Sequence, residues 1–214
     1  MIWKSEPPSI AERKRRAVRQ ELGEVALKLL AAHGFEGTTI DQITEAAGCS
    51  RRTFFRYFKS KEDVIIEVLS DLGDLVVTAL RTRPADEPPL DAVRAALQAS
   101  LPVLTANPHK SAALVRLVHD TPALHARHLH RQQDLETALT AELATRENAP
   151  PDDLRLRLTA ATALKIYDLV LPRWARTNGQ ADLSALLDDA FTLLDGPSAT
   201  PVADPHDKPR PGPG

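Results

Sequence analysis

Between Gly48 and Glu62 the chain reads Gly-Cys-Ser-Arg-Arg-Thr-Phe-Phe-Arg-Tyr-Phe-Lys-Ser-Lys-Glu. That places four aromatic side chains and five cations in one short stretch of a protein that is only 4 % aromatic. On an ideal helix, at about 100° per residue, Phe54, Phe55 and Phe58 share one side, and Arg52, Thr53, Arg56 and Tyr57 the other. The first face asks for a small core. The second is a row of cationic and hydrogen-bonding groups with nothing acidic in it, as a helix lying in a DNA major groove requires. Arg52, Thr53 and Arg56 are the groups expected at base edges, because an arginine fork matches guanine O6 and N7. Thr39, Ser50, Arg51, Tyr57 and Lys61 flank them and are expected at phosphates, where they would fix register without reading sequence.

Such a helix has to be held by others, and the sequence supplies them. Ala11 to His33 carries Val18, Leu22, Val25, Ala26, Leu29 and Leu30 at helical spacing and ends at Gly34. Its start is basic, Arg13-Lys14-Arg15-Arg16 with Arg19 one turn on, and suits either a solvated helix start or an arm along a phosphate backbone. Thr39 is placed to cap a second helix running through Ala47, with Ile40, Ile43 and Ala47 on its apolar face. Gly48 and Cys49 form a tight turn and Ser50 caps the third helix, which makes a helix-turn-helix. Ser60-Lys61-Glu62-Asp63 opens a fourth helix, to about Arg81, on Val64, Ile65, Val68, Leu72, Leu75 and Val76.

Pro84 to Pro89 is a proline-rich acidic break, read as the boundary between the two functional regions. Helices are expected next over 90–106, 108–119, 122–146, 152–177 and 182–194. No alternating strand pattern occurs, so the fold class is all-α. The domains read as 1–60, the DNA-binding head; 61–195, a helical ligand-binding and dimerisation body; and 196–214, a Pro- and Gly-rich disordered tail. Net charge is -2, but residues 1–60 hold 11 Lys and Arg against 7 Asp and Glu, whereas the remainder holds 16 against 22. A basic head on an acidic body implies a polyanion at one end only. Met1 to Glu21 has no apolar core of a secretory signal, and no stretch approaches the roughly 20 apolar residues of a membrane span. The single cysteine excludes a disulfide framework. The expected setting is therefore the cytoplasm, on the nucleoid, with no membrane partner.

The segment from about Leu22 to Val68 resembles the TetR family of bacterial transcription regulators. The residues that carry the likeness are Ala32-x-Gly34-Phe35 with Thr38-Thr39, Ile43-x-x-x-Ala47-Gly48-x-Ser50, Thr53-Phe54-Phe55-x-Tyr57-Phe58 and Ser60-Lys61-Glu62. The resemblance implies a homodimer with three DNA-binding helices per subunit, an operator of inverted half-sites, and a C-terminal pocket for a small-molecule effector that relieves repression. Arg52 stands where that family often has glycine, Phe54-Phe55 where Leu-Tyr is common, and Cys49 where valine is usual, so Cys49 reads as a small buried hydrophobe. Arg116-Leu117 with Pro122-Ala123-Leu124, together with Trp174, further resembles the subgroup with an acyl-CoA-like ligand-binding domain.

The region after Pro89 is rich in Leu, Val and Ala, so a pocket within it should be mainly apolar. Leu114, Leu117, Val118, Tyr167, Leu171 and Trp174 are the candidate lining, and Arg116, Arg127 and Arg131 could meet an anionic head group at its mouth. The eighth helix is apolar on more than one face between Leu158 and Trp174, which suits burial against its own core and a partner. Leu164, Leu183, Leu187, Ala190 and Leu194 are the candidate dimer interface. His119, His125, His128 and His130 cluster with His109 nearby, and a solvated face is the preferred reading over a metal site; no metal and no cofactor are expected. Gly-x-Ser-x-Gly, Gly-x-Gly-x-x-Gly and His-Glu-x-x-His are all absent, so no enzyme is expected. Two alternatives stay open: an architectural DNA-binding dimer without ligand, and a drug-responsive efflux-type regulator of the same fold.

Overall fold

Prolines open four helices of the body, at or next to their first position, where the missing N–H costs nothing. The computed structural model describes residues 9–194 other than the side chains of Ile10, Glu12, Arg16, Ala31 and Val68; the expected tail, 196–214, lies outside them. Among the described residues there is no strand. The helices are α1 (Ile10–His33), α2 (Ile40–Ala46), α3 (Arg51–Tyr57), α4 (Lys61–Arg81), α5 (Pro89–Gln98), α6 (Leu101–Thr105), α7 (Pro108–Asp120), α8 (Pro122–Glu147), α9 (Leu154–Arg176) and α10 (Leu183–Thr192).

Two boundaries differ from expectation. The helix expected over 90–106 breaks into α5 and α6 around Ala99 and Ser100. Pro102 lacks an N–H and its ring would crowd the carbonyl of Gln98 four residues earlier, so one continuous helix is unfavourable. Ser100 takes over the freed turn, donating to Leu97 O (2.6 Å) and sharing a hydrogen bond with the Tyr167 hydroxyl (2.7 Å). Pro84–Pro89, expected as the boundary between the two regions, does not separate two cores. Val76 and Leu80 of α4 and Ala92, Val93, Ala96 and Leu97 of α5 lie in one core. Arg146 of α8 pins the turn between them, donating to Arg83 O (2.8 Å) and Pro84 O (2.7 Å).

Three apolar clusters organise the chain. The largest gathers α4–α10 around Trp174, Leu143 and Leu187. The head has its own, of Leu22, Ala26, Ile43, Phe54, Phe58 and Val64. The third, Leu30, Phe35, Ile65, Val118 and Leu124, joins the head to α7 and α8. Among the described residues no helix is long and apolar enough to cross a membrane.

Candidate nucleic-acid interface and effector cavities

Two caps, one on α2 and one on α3, set the geometry of the helix-turn-helix. Thr39 closes a capping box on α2: its hydroxyl accepts from Gln42 N, and its own N–H donates to Gln42 Oε1 (2.8 Å). Gly48 turns the chain with φ of 61°, a left-handed conformation in which a side chain would be strained. Ser50 then caps α3 by accepting from Thr53 N (3.1 Å). Phe54 and Phe58 are buried as expected, but Phe55 is not. It is 47 % exposed and stacks edge-on against Phe54 with ring centroids 5.5 Å apart. A seven-residue helix on a small head has room for two inward phenylalanines, and the third lies at the edge of that face.

Arg52 and Arg56 are exposed, and Arg52 makes no ion pair among the described residues. Arg56 lies over the Tyr57 ring (4.9 Å to its centroid) and donates to its hydroxyl (3.1 Å), which holds the guanidinium extended. Thr53 sits between them, half-buried, its hydroxyl 3.0 Å from that of Ser50. Ser50 and Thr39 are exposed as well as capping, so their hydroxyls already hold backbone.

The flanking cations are less available than their charges suggest. Arg51 pairs with Asp41 of α2 (2.9 and 3.0 Å) and braces the two helices. Lys61 turns inward: its ammonium donates to Phe35 O (2.6 Å) and Thr38 O (3.2 Å) and lies 4.0 Å from the Phe35 ring centroid. Two of its three donors thus fasten the start of α4 to the α1–α2 turn. Arg19, read with the basic arm, bonds Glu67 of α4 and lies over Phe58. Arg13, Lys14 and Arg15 remain exposed. Cys49 is half-buried beside the head's core, and burial followed by the Glu21 charge pushes its thiol pKa up.

In the body the candidate pocket residues divide between two cavities. The larger, about 400 Å³, lies between α1, α6 and α7. Leu27, Leu30, Val103, Leu114 and Leu117 form its apolar wall, with Lys110 and Arg116 on its polar side. The smaller, about 50 Å³, lies between α4, α7, α8 and α9, and Val118, Leu164, Tyr167 and Leu171 line it with His119, His128, Arg131 and Asp168. Trp174 lines neither. It is fully buried in the main core and its indole N–H donates to Ala181 O (3.1 Å), closing the α9–α10 turn.

The three arginines expected at a pocket mouth are committed to protein partners. Arg116 donates to Ala175 O and to Asn178 Oδ1 (3.2 Å), Arg127 pairs with Asp63, and Arg131 donates to Leu69 O (2.9 Å). A Cβ at Gly73 would stand 3.1 Å from Arg131 Nη1, so glycine there admits the guanidinium between α4 and α8. Burial lowers the Arg131 pKa and raises that of Tyr167 to about 12.

The dimer residues are also redistributed. Leu164, Leu183 and Leu187 are buried within this chain's own core, because α9 and α10 pack on each other and on α5 and α7. Ala190 is half-buried and Leu194 is 48 % exposed. The outward apolar residues of α9 are instead Leu154, Leu158 and Leu169, spaced four and eleven apart and so on one stripe, and Leu193 and Leu194 are exposed after α10.

Nor are the histidines a solvated face. His128 is buried and its Nε2 lies 3.3 Å from Asp168 Oδ1; His119 Nε2 is 3.9 Å from the same oxygen. The rings of His119, His125 and His128 stand 5.4–6.5 Å apart, centroid to centroid. His109 and His130 stay outside, exposed. Sequence reasoning could pair His125 with His128 on one helix, but nothing local pointed to Asp168, 40 residues further on. Burial pushes the Asp168 carboxyl up, but hydrogen bonds from His128 and Lys165 and the charge beside it outweigh burial and hold it well below the usual range.

Known proteins agree with this layout. Residues 22–68 match the model for "bacterial regulatory proteins, tetR family", and residues 87–198 match that for the MftR C-terminal domain. TcmR, an HTH-type transcriptional regulator of Streptomyces glaucescens, is 36 % identical over 186 residues, covering 84 % of this chain and 82 % of TcmR. MftR of Mycobacterium tuberculosis is 27 % identical, covering 85 % and 91 %. Among solved structures, FadR of Bacillus subtilis in complex with stearoyl-CoA shares the fold with a TM-score of 0.59 at 18 % identity, covering 82 % of this chain and 96 % of that one. FadR of Thermus thermophilus with lauroyl-CoA gives 0.54 at 24 %, covering 92 % and 99 %. A helix-turn-helix head on an all-helical body, both halves matched by family models, identifies the chain as a member of the TetR family of bacterial transcription regulators, DNA-binding proteins and not enzymes.

Proposed function

We propose that the chain is a dimeric repressor released from an operator of inverted half-sites by an apolar or amphiphilic effector such as a fatty acyl-CoA. One observation carries this reading: the larger cavity is walled on one side by Leu27 and Leu30 of α1 and on the other by Leu114 and Leu117 of α7. An occupant there touches the DNA-binding head and the body at once, so differential binding to two head positions would shift the population between them. About 400 Å³ with an apolar wall lies within the range of small-molecule sites. Lys110, exposed at the rim, has no partner among the described residues and would meet an anionic head group in place of the committed arginines. Arg52, Thr53 and Arg56 read base edges. Tyr57, Ser50 and Thr39 approach phosphates, with Arg51 and Lys61 acting mainly as braces. Two heads facing successive major grooves stand about 34 Å apart. The place of action is the chromosomal DNA, in the cytoplasm.

The test is fluorescence polarisation on an operator selected from random DNA by the purified protein, with acyl-CoAs of several chain lengths against free CoA and free fatty acids. Release that depends on chain length supports the reading. Release by a flat aromatic cation alone would establish the drug-responsive alternative, and unaltered binding with every compound would leave an architectural dimer.

A further inference from the structure

We infer that His119, His128 and Asp168 form a binding site for a divalent first-row transition ion such as Zn²⁺, with His125 beside it to supply a further imidazole. The carboxylate comes from α9, one imidazole from the end of α7 and two from α8, so three helices converge on one point. One ligand atom from each of His119, His128 and Asp168 lies within 4.8 Å of the others. In a tetrahedral zinc site with bonds of about 2.0–2.2 Å, ligand atoms stand about 3.3–3.6 Å apart. His128 and Asp168 already meet that spacing at 3.3 Å, and His119 at 3.9 Å needs only a small side-chain adjustment.

A plain buried His–Asp pair accounts for less of what is present. One imidazole is enough to pair one carboxylate oxygen, yet two face Asp168 Oδ1 and a third, His125, stands against their rings. Nδ1 of His125 is buried and has no hydrogen-bond partner, so a ring nitrogen beside the cluster is left wanting a polar occupant. The adjoining cavity of about 50 Å³ has room for an ion and a water, because a water takes about 30 Å³ of liquid volume. Nitrogen and oxygen donors in a two-imidazole, one-carboxylate set suit Zn²⁺, Co²⁺ or Fe²⁺ and leave coordination positions open toward that cavity.

The charges around the site are compatible with a cation. Lys165 donates to Asp168 Oδ2 (3.1 Å), which orients the carboxylate with Oδ1 toward the imidazoles, as outer partners of metal ligands do. Its side chain is 65 % exposed, so the ammonium can move into water when an ion arrives. Arg131 lines the same cavity but is held by Leu69 O of α4. The site uses neither the DNA-contacting residues of the head nor the residues lining the larger cavity.

The experiment titrates full-length, chelator-treated protein with Co²⁺ in the absence of DNA, reading visible absorption, with Zn²⁺ as competitor and Mg²⁺ as control. The expected result is one Co²⁺ per chain with intense ligand-field bands, lost on adding Zn²⁺ and untouched by Mg²⁺. His119→Ala and Asp168→Asn should each weaken binding at least a hundredfold and His125→Ala about tenfold, whereas His130→Ala, on the exposed side of α8, should change nothing. His119 sits at the end of α7 and is partly exposed, so its variant should fold even if Asp168→Asn does not; far-ultraviolet circular dichroism checks both. Absence of those bands in the wild type, or equal loss in His130→Ala and His119→Ala, would overturn the site. Either result would leave the acyl-CoA assay standing on its own.

Discussion

At the scale of single residues, charge alone is a poor guide to role in the head. Arg52 and Arg56 present free or ring-supported forks, and a fork that meets a base edge supplies about 1–3 kcal/mol of discrimination. Arg52→Ala and Arg56→Ala should therefore reduce the ratio of operator to random-DNA affinity by roughly tenfold or more. Equal losses on both DNAs, measured by polarisation, would assign these arginines to phosphates. Lys61→Ala should act differently. Its ammonium holds two backbone carbonyls, and hydrogen bonds to a charged group contribute about 1.5–3 kcal/mol. The variant should lower the melting temperature by several degrees as well as weaken all DNA binding; unchanged thermal stability would return Lys61 to the phosphate role. Cys49 offers a pH test. Its thiol pKa is raised in the folded protein, so the reactive thiolate is scarcer than in an unfolded chain at any pH below that value. Alkylation by iodoacetamide should be slower in native than in urea-unfolded protein at pH 8, and the native rate should still be climbing at pH 9.

At the scale of elements, what the sequence showed best was whatever is written locally. Thr39, Ser50 and Ser60 were readable as caps because the cap and the backbone N–H it serves lie three residues apart, and all three form. Ser50→Ala should cost about 1 kcal/mol of stability, seen in chemical denaturation, and more in operator affinity because α3 loses its start. The amphipathic stripes likewise located the helices. They could not say which neighbour covers each face. Leu164 and Leu187 have the spacing of an interface residue and are spent on the chain's own core, while Leu158 and Leu169 remain outside. Leu169→Arg should give a folded chain that sediments as a monomer. Leu187→Arg should unfold the protein instead, because it places an unpaired charge at a position with no exposure. A dimer from Leu169→Arg would move the interface elsewhere.

At the scale of the whole molecule, the all-helical class and the helix-turn-helix were legible because both rest on short-range pattern. The division of the pocket residues into two cavities, the arginines tied to distant carbonyls and the meeting of His119 and His128 with Asp168 were not, because each depends on packing between helices far apart in sequence. The uneven charge does carry over: with Arg13, Lys14, Arg15, Arg52 and Arg56 exposed on the head, a dimer covering about 6–10 phosphates should show log affinity falling with log salt at a slope of roughly -5 to -9. A flat titration would mean that this surface is not the DNA face. The Lys61 fastening also has a mechanical side. α4 has 21 residues and so is about 31 Å long, with Lys61 and the head at one end and the turn to α5 at the other. Pivoted at the far end, it behaves as a lever. A tilt of about 10° would sweep the head through about 5 Å, more than the roughly 3.4 Å between neighbouring base pairs, so a small rearrangement among packed leucines is enough to put α3 out of step with its groove.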